Sequence, residues 1–415
     1  MTSIEPFRGW LLHDLERGED GRCAAPPYDV IQGEERERYA ALSPANIVHL
    51  TLPRAAGGLD GYGAARRLLE QMAEEGRLTR DEQPCFYLQD VRFRSPAGAS
   101  LVRRGLIGLV AIEPIGKGAI RGHEKVQQKP LRDRRLLMEA TLANLEPVIF
   151  LYRDPPGVID RLLSGDRQRP PLSVAEFESL RFEFRRADAG VSAMIRSELS
   201  GRPLYLADGH HRFTVAHRFM EERPELPGSG YRMALLVRAE DPGLVVLPTH
   251  RFVRELPEAA ARALTGRLER HFDLEPIEST GLLSRFERPI ESGAFLVWLR
   301  REHRAWLATP RASALGALSA TPEPLRSLDV SLLHDFLLDP DALGQTLVCE
   351  YVRGEEDPIG RAVTEDVPLA FFLTAPRIET ILRVSDQALY MPTKSTYFYP
   401  KAASGQVLFR LEEAL

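Results

Sequence analysis

The run Leu204–His217 constrains this chain more than any other stretch. It opens as an apolar strand, Leu204-Tyr205-Leu206-Ala207, and passes through Asp208-Gly209, a pair that signals a turn. Two imidazoles and a guanidinium (His210, His211 and Arg212) follow where a helix begins, expected over 211–222. A helix N-terminus exposes unpaired backbone N–H groups and carries partial positive charge, so it receives anions. Gly209 lets the backbone turn sharply or approach a ligand closely. The junction is shaped for phosphate. The competing reading is an Asp-Gly turn with surface histidines.

With 415 residues the chain exceeds one ordinary core. It is divided here into an N-terminal α/β part (1–100), a phosphate-binding core (101–250) and a C-terminal α/β part (251–415). The net charge of −5 counts against a bulk nucleic-acid binder, which is usually basic. Cys23, Cys85 and Cys349 lie far apart with no CxxC pair, which argues against a disulfide framework and a structural zinc. The first ten residues lack a signal-peptide core, and no run reaches the ~18 apolar residues of a membrane span. The expected location is cytoplasmic, with no membrane partner; oligomeric state is left open.

Helices are expected over 61–77, 130–145, 192–199, 211–222, 258–272, 330–338 and 378–387. Strands are expected over 46–50, 86–91, 103–112, 147–152, 204–207, 233–238, 244–247, 294–299, 306–308 and 369–373. A Ser-Pro-Ala-Gly turn joins the second and third of these strands. Residues 153–175, rich in Pro, Gly and Arg, read as an exposed connection. The alternation predicts a mixed α/β or α+β chain.

Several groups can carry chemistry. The carboxylate of His123-Glu124 suits a general base or a metal ligand, or else an ordinary surface or capping Glu. Arg132 and Arg135 share a helix face and could clamp an anion, whereas Arg134 and Arg135 read better as a solvated face. In Thr249-His250-Arg251, read as a strand end, Arg251 offers a second phosphate contact and His250 a proton shuttle; a polar strand terminus is the alternative. The tail from Met391 to Lys401 carries Lys394, Ser395, Tyr397 and Lys401 among aromatics, so it is expected to pack back on the body. Tyr28, Asp29 and His49 are further candidates, Asp29 as a metal ligand or, more commonly, as a turn former. No Walker, GxGxxG, HExxH or GxSxG sequence occurs. Adjacent His210 and His211 point about 100° apart on a helix, which disfavours a shared zinc.

Pro26-Pro27-Tyr28-Asp29-Val30-Ile31, His123-Glu124, Asp208-Gly209-His210-His211-Arg212, Pro248-Thr249-His250-Arg251 and the Met391–Lys401 tail occur in this order. Together they resemble the bacterial and archaeal "domain of unknown function 1015" family over nearly the whole chain. The order of Glu124, helix, strand and Asp208 loop is also similar to the ParB/sulfiredoxin-like superfamily, whose free serine kinases bind nucleotide phosphates on such a loop. This resemblance implies a ParB/sulfiredoxin-like central core with additional N- and C-terminal α/β parts. It makes Glu124 the base on an acceptor hydroxyl and gives the Asp208 loop to the phosphate donor. The chain departs from that pattern by about fifty residues inserted between the strands near Phe150 and Tyr205.

The expected function is therefore a small-molecule kinase using ATP, ADP or pyrophosphate, with serine as an acceptor. Its catalytic candidates are Glu124, His123 and His210. Its phosphate-binding candidates are Asp208, Gly209, His210, His211, Arg212, Arg251, Arg132, Lys394 and Lys401. Magnesium is expected on Asp208, because hard cations favour carboxylate oxygens. The rivals are a non-catalytic nucleotide-binding regulator or ParB-like DNA-associated protein, and a metal-dependent phosphatase or phosphodiesterase.

Overall fold

The structure, a computed structural model, describes residues 3–95, 98–126, 128–277, 293–302, 304–353 and 358–413. Pro96 and Ala97 of the expected turn lie outside these residues. The chain is a mixed α/β protein with several sheets. It divides into two compact units. The first comprises Met1–Gly122, Val126–Val245 and Pro400–Leu415, and the second His123–Lys125 and Val246–Tyr399. The boundary expected after residue 100 falls inside the first unit, at the strand Ser100–Arg103, which pairs with Tyr87–Arg94. The boundary expected after 250 lies just past Val245.

The first unit is built on a mixed sheet. Its strands run in the order Ser173–Phe177, Leu180–Arg186, Tyr87–Arg94, Leu106–Ala111, Tyr231–Arg238, Val148–Tyr152, Leu204–Asp208 and Ile120–Arg121. Tyr231–Arg238 is antiparallel to Leu106–Ala111 and parallel to Val148–Tyr152. Every residue of Val148–Tyr152 is buried, as expected of an apolar strand covered on both faces. The helices Gly61–Glu74, Gln128–Thr141 and His210–Glu222 pack in succession. Asp60 caps the first by accepting from Gly63 N–H at 2.7 Å. Ala65, Leu69 and Met72, at helical spacing, join Leu137, Leu145 and Leu408 in one apolar cluster.

Two expectations need correction here. Asn46–Leu50 is not a strand: Val48–Thr51 is a short helix. Asn46 turns the chain by accepting Val48 N–H at 3.0 Å while its amide donates to Arg22 and Ala24 carbonyls. Residues 153–175 are more than a connection, because the helices Val158–Leu162 and Ser164–Gln168 and the strand Ser173–Phe177 form there. Ile159, Leu163 and Ala175 supply their buried contacts.

The second unit carries a six-stranded antiparallel sheet in the order Phe272–Ile277, Arg304–Pro310, Phe295–Leu299, Leu369–Phe372, Thr249–Val253 and Cys349–Arg353. Phe252, Leu296, Trp298, Ala370 and Phe372 fill its core. The helix expected over 330–338 begins as Asp329–Ser331 and widens into a π-helix over Leu332–Leu337. Among the described residues, no helix is long and apolar enough to cross a membrane.

Candidate functional site

The strand Leu204–Asp208 is buried throughout and shifts register between Leu206 and Asp208 against Val148–Tyr152. Such an irregularity re-aims the side chain at the strand end. Gly209 follows with φ 87°, in the left-handed region. A Cβ there would sit 2.7 Å from Val148 Cγ1, so the position needs glycine on both conformational and steric grounds. The helix His210–Glu222 then starts with Gly209 at its N-cap, a residue with no side chain to cap it, and its first turn lies at the positive end of the helix dipole. Phe213, Ala216 and Phe219 bury its inner face, with Phe213 edge-on to Phe150.

Two cations hold the Asp208 carboxylate. Arg212 donates to Oδ2 at 2.7 Å, and Lys401 Nζ donates to Oδ1. Burial alone would raise the Asp208 pKa, but Lys401 and Arg212 outweigh it and hold the carboxyl well below the usual range. Arg212 also donates to Pro147 O at 2.9 Å and lies 3.9 Å from Glu146 Oε2. Its burial would lower its pKa, but Glu146 and Asp208 push it up instead. Glu146 Oε1 accepts from Tyr28 N–H at 2.9 Å and from Ser404 Oγ at 3.2 Å. The Tyr28 ring lies under the Arg134 guanidinium at 3.8 Å. Motifs at residues 28, 208–212 and 401 thus meet in the first unit. Lys401 is delivered by its tail: Gln89 binds the backbone of Ala403 through both ends of its amide, and Arg103 donates to Pro400 O.

A second cluster forms within the second unit. His123 O accepts Met391 N–H at 2.8 Å, and His123 Nε2 lies 3.0 Å from Thr396 Oγ1. Lys394 N–H reaches Glu124 Oε1 at 3.5 Å. Arg251 donates to Thr393 O and Lys394 O at 3.2 and 3.1 Å, and to His334 Nε2 at 3.0 Å. The tail motif therefore packs against both His123-Glu124 and Arg251.

The family model described as "Protein of unknown function (DUF1015)" matches residues 4–331. The chain belongs to the DUF1015 family. No curated protein matches it. Among solved structures, this DUF1015 chain is similar to a conserved hypothetical protein from Pyrococcus furiosus, at 14% identity and TM-score 0.36 over 72% of this chain and 94% of that one. It is similar to a free serine kinase in complex with AMP, at 13% identity and TM-score 0.34 over 68% and 83% of the two chains. SbnI with C-terminal truncation from Staphylococcus aureus matches at 10% identity and TM-score 0.38 over 72% and 86%.

The remaining candidates of this DUF1015 protein take structural positions. His250 does not end a strand. It lies within Thr249–Val253, fully buried, accepting Leu373 N–H on Nδ1 at 3.1 Å. Burial, then Arg251, lowers its pKa to about 3, so it stays neutral and is no proton shuttle near neutral pH. Arg251 is equally buried and spends its N–H groups on carbonyls and His334. His49 sits on its short helix, 3.3 Å from Ala40 O. Arg132 is exposed, and Arg135 pairs with Glu139 and Glu222, so the two form no clamp. Asp29 is exposed, and His210 is buried against Gly122. His211 is half-buried on the first turn. Ser395 donates to Pro392 O, Tyr397 stacks with Arg353, and Lys394 is exposed.

Three residues of the first cluster were not anticipated as site residues. Arg134 was read as solvated, yet it shares a buried face with Leu131, Met138 and Thr141, a spacing that could have placed it. Arg232, an arginine inside the apolar strand Tyr231–Arg238, carried a similar signal. Glu146 carried none. The donor set does not fit magnesium. Asp208 already binds two cations, and among the described residues no three His, Cys, Asp or Glu converge on a metal position.

Proposed function

We propose that this protein is a small-molecule phosphotransferase that seats the phosphates of a nucleotide or pyrophosphate at the junction Asp208–Arg212. The observation that carries this reading is the left-handed turn at Gly209 opening the helix His210–Glu222 beside Lys401. Backbone N–H groups of the first helical turn meet a phosphate oxygen, and the Lys401 ammonium offsets its charge. Arg212, buried beneath, acts as a positioning residue that fixes Asp208 and, through it, Lys401. The acceptor is a free hydroxyl, such as that of serine. Its oxygen bonds to the transferred phosphorus as the bond to the donor's bridging oxygen breaks, and a base takes the hydroxyl proton. No step here runs through magnesium.

The test is incubation with serine and ATP, ADP or pyrophosphate in turn, with phosphoserine followed by phosphorus NMR, beside calorimetric titration of each donor. Phosphoserine from one donor, and at least tenfold weaker donor binding in Lys401→Met, support the reading. Wild-type protein that binds none of the three donors overturns it.

A further inference from the structure

Arg232 is 3% exposed, in the middle sheet of the first unit. Its one hydrogen bond among the described residues runs from Nη2 to Glu146 O at 2.7 Å, and its Nε has no partner. Buried guanidinium groups ordinarily find a carboxylate, because an unpaired buried cation is costly. Among the described residues Arg232 has none at bonding distance. Beside it lies a cavity of about 30 Å³, lined also by Arg134, Arg212 and Glu146 and by the apolar side chains of Leu137, Met138 and Val215. That volume holds roughly one or two water-sized bodies, which suits a monatomic ion.

Three guanidinium groups, those of Arg134, Arg212 and Arg232, line the cavity against one carboxylate, that of Glu146. Arg134 is taken by Asp133, and Arg212 by Asp208. Glu146 directs Oε1 to Tyr28 N–H and Ser404 Oγ, and its Oε2 lies 3.9 Å from Arg212. Burial and the neighbouring Arg212 together depress the Arg232 pKa to about 9, against Glu146, as expected of a cation short of negative charge.

We infer that this cavity is a site for a small monovalent inorganic anion of the halide class, held by the Arg232 guanidinium and flanked by Arg134 and Arg212. The site is distinct from the helix entrance at Gly209: it lies on the cavity side of Arg212, against the helix Gln128–Thr141. A bound halide supplies the acceptor that Nε lacks and offsets the excess of guanidinium over carboxylate in the lining. It stabilises the folded chain in proportion to its occupancy.

Crystals of the wild-type protein grown or soaked in sodium bromide test this directly. The expected result is an anomalous peak in the cavity within contact distance of Arg232 Nε. In solution, chloride and bromide raise the melting temperature saturably by a few degrees over sodium gluconate at equal ionic strength, and Arg232→Met abolishes the difference. A cavity holding only water in bromide-soaked crystals overturns the inference. So does an Arg232→Met protein with an undiminished halide shift. The diffraction measurement needs no variant, so it decides the matter even where Arg232→Met fails to fold.

Discussion

Lys401 donates to the carboxylate of Asp208 across 193 residues of chain, and Arg212 holds the other oxygen of the same carboxylate at 2.7 Å. Asp208 is therefore an organiser of two cations rather than an open metal ligand. It fixes an ammonium beside a helix entrance and keeps a guanidinium buried beneath it. Breaking such a buried arrangement leaves charge without a partner, which costs more than the intact pair contributes.

Asp208→Asn keeps the shape and removes the charge from between Arg212 and Lys401. The expected loss is about 3–5 kcal/mol in urea unfolding. In a double-mutant cycle, Lys401→Met costs less in the Asp208→Asn background than in wild type, with a coupling of about 1–3 kcal/mol. Additive losses would mean that the two side chains do not interact.

The depressed Asp208 pKa sets an acid limit. The native carboxyl gives up its proton more readily than the unfolded chain, whose value is ~3.9. Its contribution is whole above that range and fades as pH falls through it toward the native value. Between pH 5 and 3, the urea midpoint of wild type falls more steeply than that of Asp208→Asn. Parallel curves would refute the assignment.

In the second unit, His250 and His334 have native pKa values of about 3 and about 4, each lowered by burial and then by Arg251. The unfolded rings take up protons near ~6.5 while the folded ones resist. Stability is complete above that value and is lost as pH falls toward 4 and 3, at up to ~1.4 kcal/mol per pH unit for each ring. Fluorescence of Trp298 and Trp306, both in this unit, reports it. His250→Gln shows a shallower loss between pH 6 and 4.

Gly209→Ala combines a left-handed backbone with a Cβ 2.7 Å from Val148 Cγ1. A loss of about 1–3 kcal/mol is expected in thermal or urea unfolding. Phosphate-donor affinity drops with it, because the first helical turn is displaced. Unchanged donor affinity in a folded Gly209→Ala protein would move the phosphate site elsewhere.

The junction at Asp208 was legible because apolar run, turn pair and helix onset coincide within fourteen residues, and local forces decide each. Asn46–Leu50 was not, since five alternating residues suit either state and the Asn46 side chain tips the balance toward a turn. Arg134 shows a different failure. Its helical spacing pointed inward with Leu131 and Met138, but its charge argued for solvent, and stacking on Tyr28 overrode that preference. Which tail lysine would reach Asp208 depended on contacts of Gln89 and Arg103 with the chain around residues 400–403, and no spacing within the tail encodes those.

The cation that completes the Asp208 pair is made well after its carboxylate. Ribosomal synthesis at about 5–20 residues per second places Asp208 outside the enzyme that assembles it roughly 10–40 s before Lys401 follows. Through that interval the nascent junction carries only the Arg212 partner, with Val246–Tyr399 of the second unit translated in between. The loop thus gains its charge balance only once those 193 residues have been added.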